Sequence, residues 1–144
     1  MIEQDTIKLL RECDAGIKMG VASIDDVLSH VQSEDLNQKL TRCKEEHEKL
    51  EREIRTLLRN YGDEGKDPNP MAKGMSWLKT NMKLTMEDND KTIADLITDG
   101  CNMGVKSLKK YMHQYPEANE QVQKLCTKLI NIEEQLAKEV AQYL

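Results

Sequence analysis

The sequence predicts an all-α protein: an antiparallel four-helix bundle built from two repeated helical hairpins and joined by a long crossover that contains a short helix. Three observations carry this. Leu, Lys, Glu, Gln and Met dominate the 144 residues, whereas there is no Phe, one Trp, 7 Gly and 3 Pro. Apolar side chains recur in alternating steps of three and four along four long stretches. The first two stretches resemble the last two in sequence.

The first stretch carries Ile7, Leu10, Ile17, Val21, Ile24, Leu28 and Val31, with Asp14 the one polar occupant of the stripe. The second carries Leu36, Leu40, Cys43, Leu50, Ile54, Leu57 and Tyr61, interrupted by His47. Ala94, Cys101, Val105, Leu108, Met112 and Tyr115 mark the third, with Thr98 intervening, and Val122, Cys126, Leu129, Leu136, Val140 and Tyr143 mark the fourth around Glu133. A seam of that length implies helices packed along one another, each of about 25 residues or roughly 38 Å. Expected boundaries are Asp5 capping the first helix, Ser33 the second, and Gly62 ending the second in a left-handed residue. Asp88, Asn89 and Asp90 offer caps for the third, and Pro116 is placed in the first turn of the fourth. The chain thus divides as one domain, 1–144, with a hairpin at 5–61, a crossover at 62–89 and a hairpin at 90–144. Within the crossover, Met71, Met75, Leu78 and Met82 repeat at helical spacing after a cap at Asn69 and Pro70, and these methionines with Trp77 are expected to cover bundle surface.

The repeat is sharpest at Gly16, Met19, Gly20, Val21 and Ser23, which recur as Gly100, Met103, Gly104, Val105 and Ser107. In the second helices Leu36 aligns with Val122, Leu40 with Cys126, Cys43 with Leu129, Leu50 with Leu136 and Ile54 with Val140. Duplication about a pseudo-two-fold axis is the simplest account. Glycine inside a helix costs about 1 kcal/mol relative to alanine, so the two glycine pairs require compensation. Close packing of the first helix on the third through Gly16, Gly20, Gly100 and Gly104 supplies it; a ligand cavity is the alternative.

Composition narrows the function. With 26 acidic and 21 basic residues the formal net charge is −5, which speaks against a nucleic-acid partner needing a basic stripe. No segment approaches the ~18 apolar residues of a membrane span. MIEQDTIKLLRECDAGIKMG has no uninterrupted apolar core, so no signal peptide is expected. Cys13, Cys43, Cys101 and Cys126 are widely spaced, without a CxxC motif, and read as reduced, partly buried thiols of a cytoplasmic protein.

The GxxMGVxS helix, the PNPMAKGMSW connector and the CNMGVKSL helix resemble the ferritin-like superfamily, in an uncharacterised bacterial branch: a ferritin-like domain of unknown function from anaerobic Firmicutes. The resemblance spans essentially the whole chain. It implies a di-iron centre, with a Glu from the first helix of each hairpin and Glu-x-x-His from the second. The sequence departs from that pattern. Lys44, not Glu, lies three residues before His47, and no His follows His113. The seam of the first helix holds Gly16, Ile17, Gly20 and Val21 at its middle, and that of the third Gly100, Cys101, Gly104 and Val105, while Glu12, Asp14, Asp95 and Asp99 lie nearer the helix starts. Iron-oxidising chemistry is therefore not expected.

His47 and Glu133 remain. They hold equivalent positions in the repeat, at similar height in an antiparallel bundle. One reading is a buried hydrogen-bonded pair that sets helix register. The other is a remnant metal site binding a single Fe or Zn ion, with Cys43 and water completing the shell. The helical run KEEHEKLERE at 44–53 reads as a solvated face, and His30 and His113 as exposed side chains near hairpin ends. No phosphate loop, Ser-His-Asp arrangement or zinc ribbon is present. Three function classes follow: a binding or structural module that is not an enzyme, a metal-binding protein with a non-standard site at His47 and Glu133, and a homodimeric interaction protein.

Overall fold

The computed structural model describes residues 2–67 and 89–144. Four helices account for most of them: α1 (Ile2–Leu28), α2 (Glu34–Asn60), α3 (Asp90–Gln114) and α4 (Glu120–Val140), closed by a single 3-10 turn at Ala141–Tyr143. No strand occurs among the described residues, and no helix there is long and apolar enough to cross a membrane. The expected short helix with Met71, Met75, Trp77, Leu78 and Met82, its cap at Asn69 and Pro70, and the cap at Asp88 all lie outside the described residues.

Local chemistry explains most of the helix ends. Ser33 begins α2 with its hydroxyl accepting from the Leu36 N–H, Asn89 begins α3 by accepting from Thr92, and Asn119 begins α4 by accepting from Val122. Past α2, Gly62 takes φ +71°, the left-handed conformation that turns the chain away from the helix. Two expected boundaries move. Asp5 lies inside the first turn of α1, not at its cap, and its carboxylate accepts instead from the Glu117 N–H at 2.9 Å. Pro116 falls in the turn before α4, because Asn119 provides the cap that the α4 N–H groups need.

Hydrogen bonds tie the helix ends into two groups. At one end, Thr6 near the start of α1 accepts from the Asn119 N–H at the start of α4, and the Asn119 side chain donates to Tyr61 at the end of α2. At the other, Asp90 at the start of α3 accepts from the Gln32 and Ser33 N–H groups, and the Ser33 hydroxyl meets the Tyr143 hydroxyl 3.2 Å away.

Each helix turns its apolar stripe inward, and burial of those side chains is the main stabilising contribution. The interior falls into two apolar clusters. Leu9, Leu10, Cys13, Ile17, Leu50, Ile54, Leu58, Leu108, Val122, Cys126 and Leu129 build the first. Ile24, Val27, Leu36, Leu40, Cys43, Ile93, Ile97, Cys101, Leu136 and Val140 build the second. Along every helix, a polar or glycine position falls between the residues of one cluster and those of the other: Gly20, His47, Gly104 and Glu133.

Candidate functional site

That interruption is the most chemically distinctive feature of the interior. The stripe of α2 places His47 between Cys43 and Leu50, so the same periodicity that buries the leucines buries the imidazole, to 1% exposure. On α4 Glu133 stands between Ile130 and Leu136 and is 8% exposed. His47 Nε2 lies 2.6 Å from Glu133 Oε1, and His47 Nδ1 lies 2.8 Å from the Cys43 carbonyl oxygen one helical turn back.

The proton inventory follows from those two distances. A carbonyl oxygen only accepts, so Nδ1 carries a hydrogen and donates it to Cys43. At 2.6 Å the Nε2–Oε1 contact must also contain a proton, because two facing lone pairs would repel. Burial opposes a charged imidazole. The hydrogen bonds with Cys43 and Glu133, together with the charge on Glu133, outweigh it and push the His47 pKa up to about 10. His47 therefore stands as an imidazolium donating from both nitrogens, an ion pair that spans α2 and α4 in the middle of an apolar core.

Two thiols flank the pair. Cys43 Sγ is 3.5 Å from His47 Nδ1, and burial raises its pKa despite the nearby imidazole. Cys101 on α3 hydrogen-bonds Glu133, and burial followed by the Glu133 charge drives its pKa far above the ordinary thiol value. Both stay protonated near neutrality. The sequence points to Cys43 as a neighbour but not to Cys101, whose signal is its seam position one turn before Gly104 on α3.

The glycines are explained by this layer. A Cβ on Gly20 would sit 2.9 Å from His47 Nε2 and 3.1 Å from its Cδ2, so the missing side chain is the space that the imidazole fills. At Gly104 the nearest atom is Glu133 Oε2 at 3.6 Å. Gly16 meets the Leu108 side chain of α3 at 4.0 Å, and Gly100 has nothing within 4 Å. The expectation that all four let α1 and α3 approach closely therefore needs correction. The room at Gly20 is taken by a ring from α2 and the neighbour at Gly104 is a carboxylate from α4, because a buried ion pair between those helices has to project across the bundle.

Whether the pair fits a metal can be judged from its donors. An ion at His47 would have to displace the proton on Nε2, since Nδ1 is committed to the backbone. Its thiol neighbours would have to ionise against the direction in which burial moves them. Among the described residues no three His, Cys, Asp or Glu side chains converge where one ion could be held. The donor set does not fit a single Fe or Zn ion.

The other sequence candidates lie apart from this layer. Asp14 is 1% exposed and belongs to a second polar cluster, where its Oδ2 takes the Lys18 ammonium at 2.9 Å and the Lys66 N–H at 3.0 Å. Glu12 pairs with the Lys66 ammonium at 2.5 Å, and Arg11 with Asp63 at 3.2 Å. The first residues after α2 are thereby strapped onto α1. Gly65 allows it: with φ +92° and the Asp14 carboxylate standing where a Cβ would go, no side chain fits there. Within 44–53, Lys44 reaches Asp25 at 2.6 Å and Glu51 pairs with Arg55 at 3.1 Å, so this face is laced with ion pairs. His113 is exposed, whereas His30 is half-buried.

Comparison of the chain with protein-family profiles, with curated proteins and with solved structures returns no match.

Proposed function

We propose that the protein is a ferritin-like, antiparallel four-helix bundle without a di-iron centre, and that it serves as a binding or structural module, not as an enzyme. The way the helix ends group supports the topology. The start of α1, the end of α2 and the start of α4 share one end, and the starts of α2 and α3 share the other with the end of α4. In that arrangement α2 ends and α3 begins at opposite ends, the placement that a crossover topology has. Duplication is supported by the recurrence of GxxMGVxS and by the equivalent positions of His47 and Glu133. A cytoplasmic setting is supported by four buried thiols, all free.

The observation that carries the functional reading is the commitment of both His47 nitrogens, one to a backbone carbonyl and one to Glu133. A group so engaged fixes the register of α2 against α4 and leaves no lone pair for a ligand. The test is elemental analysis of protein purified without affinity tag or chelator, alongside His47→Ala. No stoichiometric iron, zinc or manganese is expected. Metal at one equivalent that disappears in the variant would overturn the reading and make His47 and Glu133 ligands.

Homodimerisation is the second reading, favoured by Met103, 70% exposed on α3 beside the open position at Gly100. Light scattering coupled to size exclusion tests it, and a strict monomer at high concentration would exclude it.

A further inference from the structure

Of the glycines in the two GxxMG helices, Gly100 alone has no neighbour that uses its missing side chain: an added Cβ would meet nothing within 4 Å. A glycine in a helix interior lowers helix stability, and here no contact within the chain offsets the loss. One turn further along α3 stands Met103, an apolar side chain left 70% exposed. Gly16 and Met19, the same motif on α1, are half-buried. Gly100 and Met103 belong to a second stripe on α3. Leu96, Gly100, Met103, Ser107 and Lys110 follow one another in alternating steps of four and three, beside the buried stripe of Ile97, Cys101 and Leu108, and each is half-buried or exposed.

The flanking charges have a definite polarity. Asp95 and Asp99 precede Gly100, whereas Lys106 and Lys110 follow Met103, and both pairs, 95 with 110 and 99 with 106, are centred between residues 102 and 103. Lys106 and Lys110 are exposed and have no ion-pair partner among the described residues. Asp99, also exposed, has an interaction within its own chain, and a carboxylate has acceptor sites for a further donor.

We propose that this face of α3 is a dimer interface whose occupant is the same face of a second copy, packed antiparallel about a two-fold axis that crosses α3 between residues 102 and 103. The proposal rests on the homodimer reading above and gives it a surface and a geometry. A two-fold interface has to be self-complementary. Reversing the helix about that axis sets Asp99 of each copy against Lys106 of the other, and Asp95 against Lys110; a parallel pairing in register would set like charges together. Met103 of each copy stands within one helical turn of Gly100 of the other, where the bare backbone leaves room for it. Burial of the two methionines supplies the attraction. The charge pairs, individually weak at a surface, set the orientation.

The test is light scattering of the full chain across a concentration series up to millimolar, at low ionic strength, for wild type, Asp99→Lys, Lys106→Glu and an equimolar mixture of the two variants. Each variant alone faces lysine with lysine or carboxylate with carboxylate, so its dimer should dissociate about tenfold more readily than that of wild type. In the mixture both cross pairs are opposite in charge again, and a heterodimer of wild-type affinity is expected. Circular dichroism checks that the variants are folded, and Asp95→Lys with Lys110→Glu supplies a second such pair should one of the first fail to fold. Variants that do not weaken the dimer, or that weaken it without recovery in the mixture, would overturn this interface while leaving a homodimer through another face. A wild type that stays monomeric throughout would overturn the interface and the homodimer reading together.

Discussion

Replacing Gly20 by alanine tests whether the glycine exists to admit the ion pair. In an open helical position that change stabilises by about 1 kcal/mol. Gly100, where an added methyl would meet nothing within 4 Å, supplies that reference within the same protein, and Gly104, with its nearest atom at 3.6 Å, should behave alike. At Gly20 the methyl would lie 2.9 Å from Nε2 and 3.1 Å from Cδ2 of His47. The ring cannot tilt away at little cost, because it is held at both ends by contacts of 2.8 and 2.6 Å. Displacing it separates a buried ion pair, a loss of about 3–5 kcal/mol, against which the gain in helix propensity is about 1. Gly20→Ala should therefore lose about 3 kcal/mol and melt roughly 10 °C below wild type, while Gly100→Ala melts above it. Urea titrations and thermal melts of the three alanine variants measure this directly. If Gly20→Ala matches Gly100→Ala, the glycine is not reserved for the imidazole.

Two further outcomes follow from the same geometry. His47 has a folded pKa of about 10 against an ordinary 6.5, so the native state holds an extra proton between those values. Its contribution to stability is complete below about pH 6.5 and is lost as pH rises through about 10, at up to about 1.4 kcal/mol per unit. The difference in urea midpoint between wild type and His47→Leu should accordingly shrink across that window, and a difference independent of pH would refute the ion pair. Gly65→Ala combines a left-handed backbone with a methyl driven into the Asp14 carboxylate. A loss of about 2 kcal/mol and faster proteolysis within residues 62–67 are expected, and unchanged protection of that segment would show that the strap does not depend on Asp14.

The four helices are legible in the chain alone, because each announces its buried face through a long stripe at helical spacing and most ends carry local caps. Ser33, Asn89 and Gly62 act within a turn of themselves, so their neighbours in sequence are enough to read them. Asp5 and Pro116 mislead for different reasons: Asp5 accepts from Glu117 across the fold, and Pro116 lies before the helix whose first turn it is expected to occupy, because Asn119 caps it three residues later. Reading the recurring stripes as a repeat leads to the expectation that His47 and Glu133 stand at similar height. What they do there depends on packing, since the 2.6 Å contact and the approach of Cys101 are set by how three helices are rotated about their axes. The same holds for the glycines. The sequence shows that a side chain is missing at Gly20, but the atom that fills the space comes from another helix, and periodicity along one helix carries no information about it.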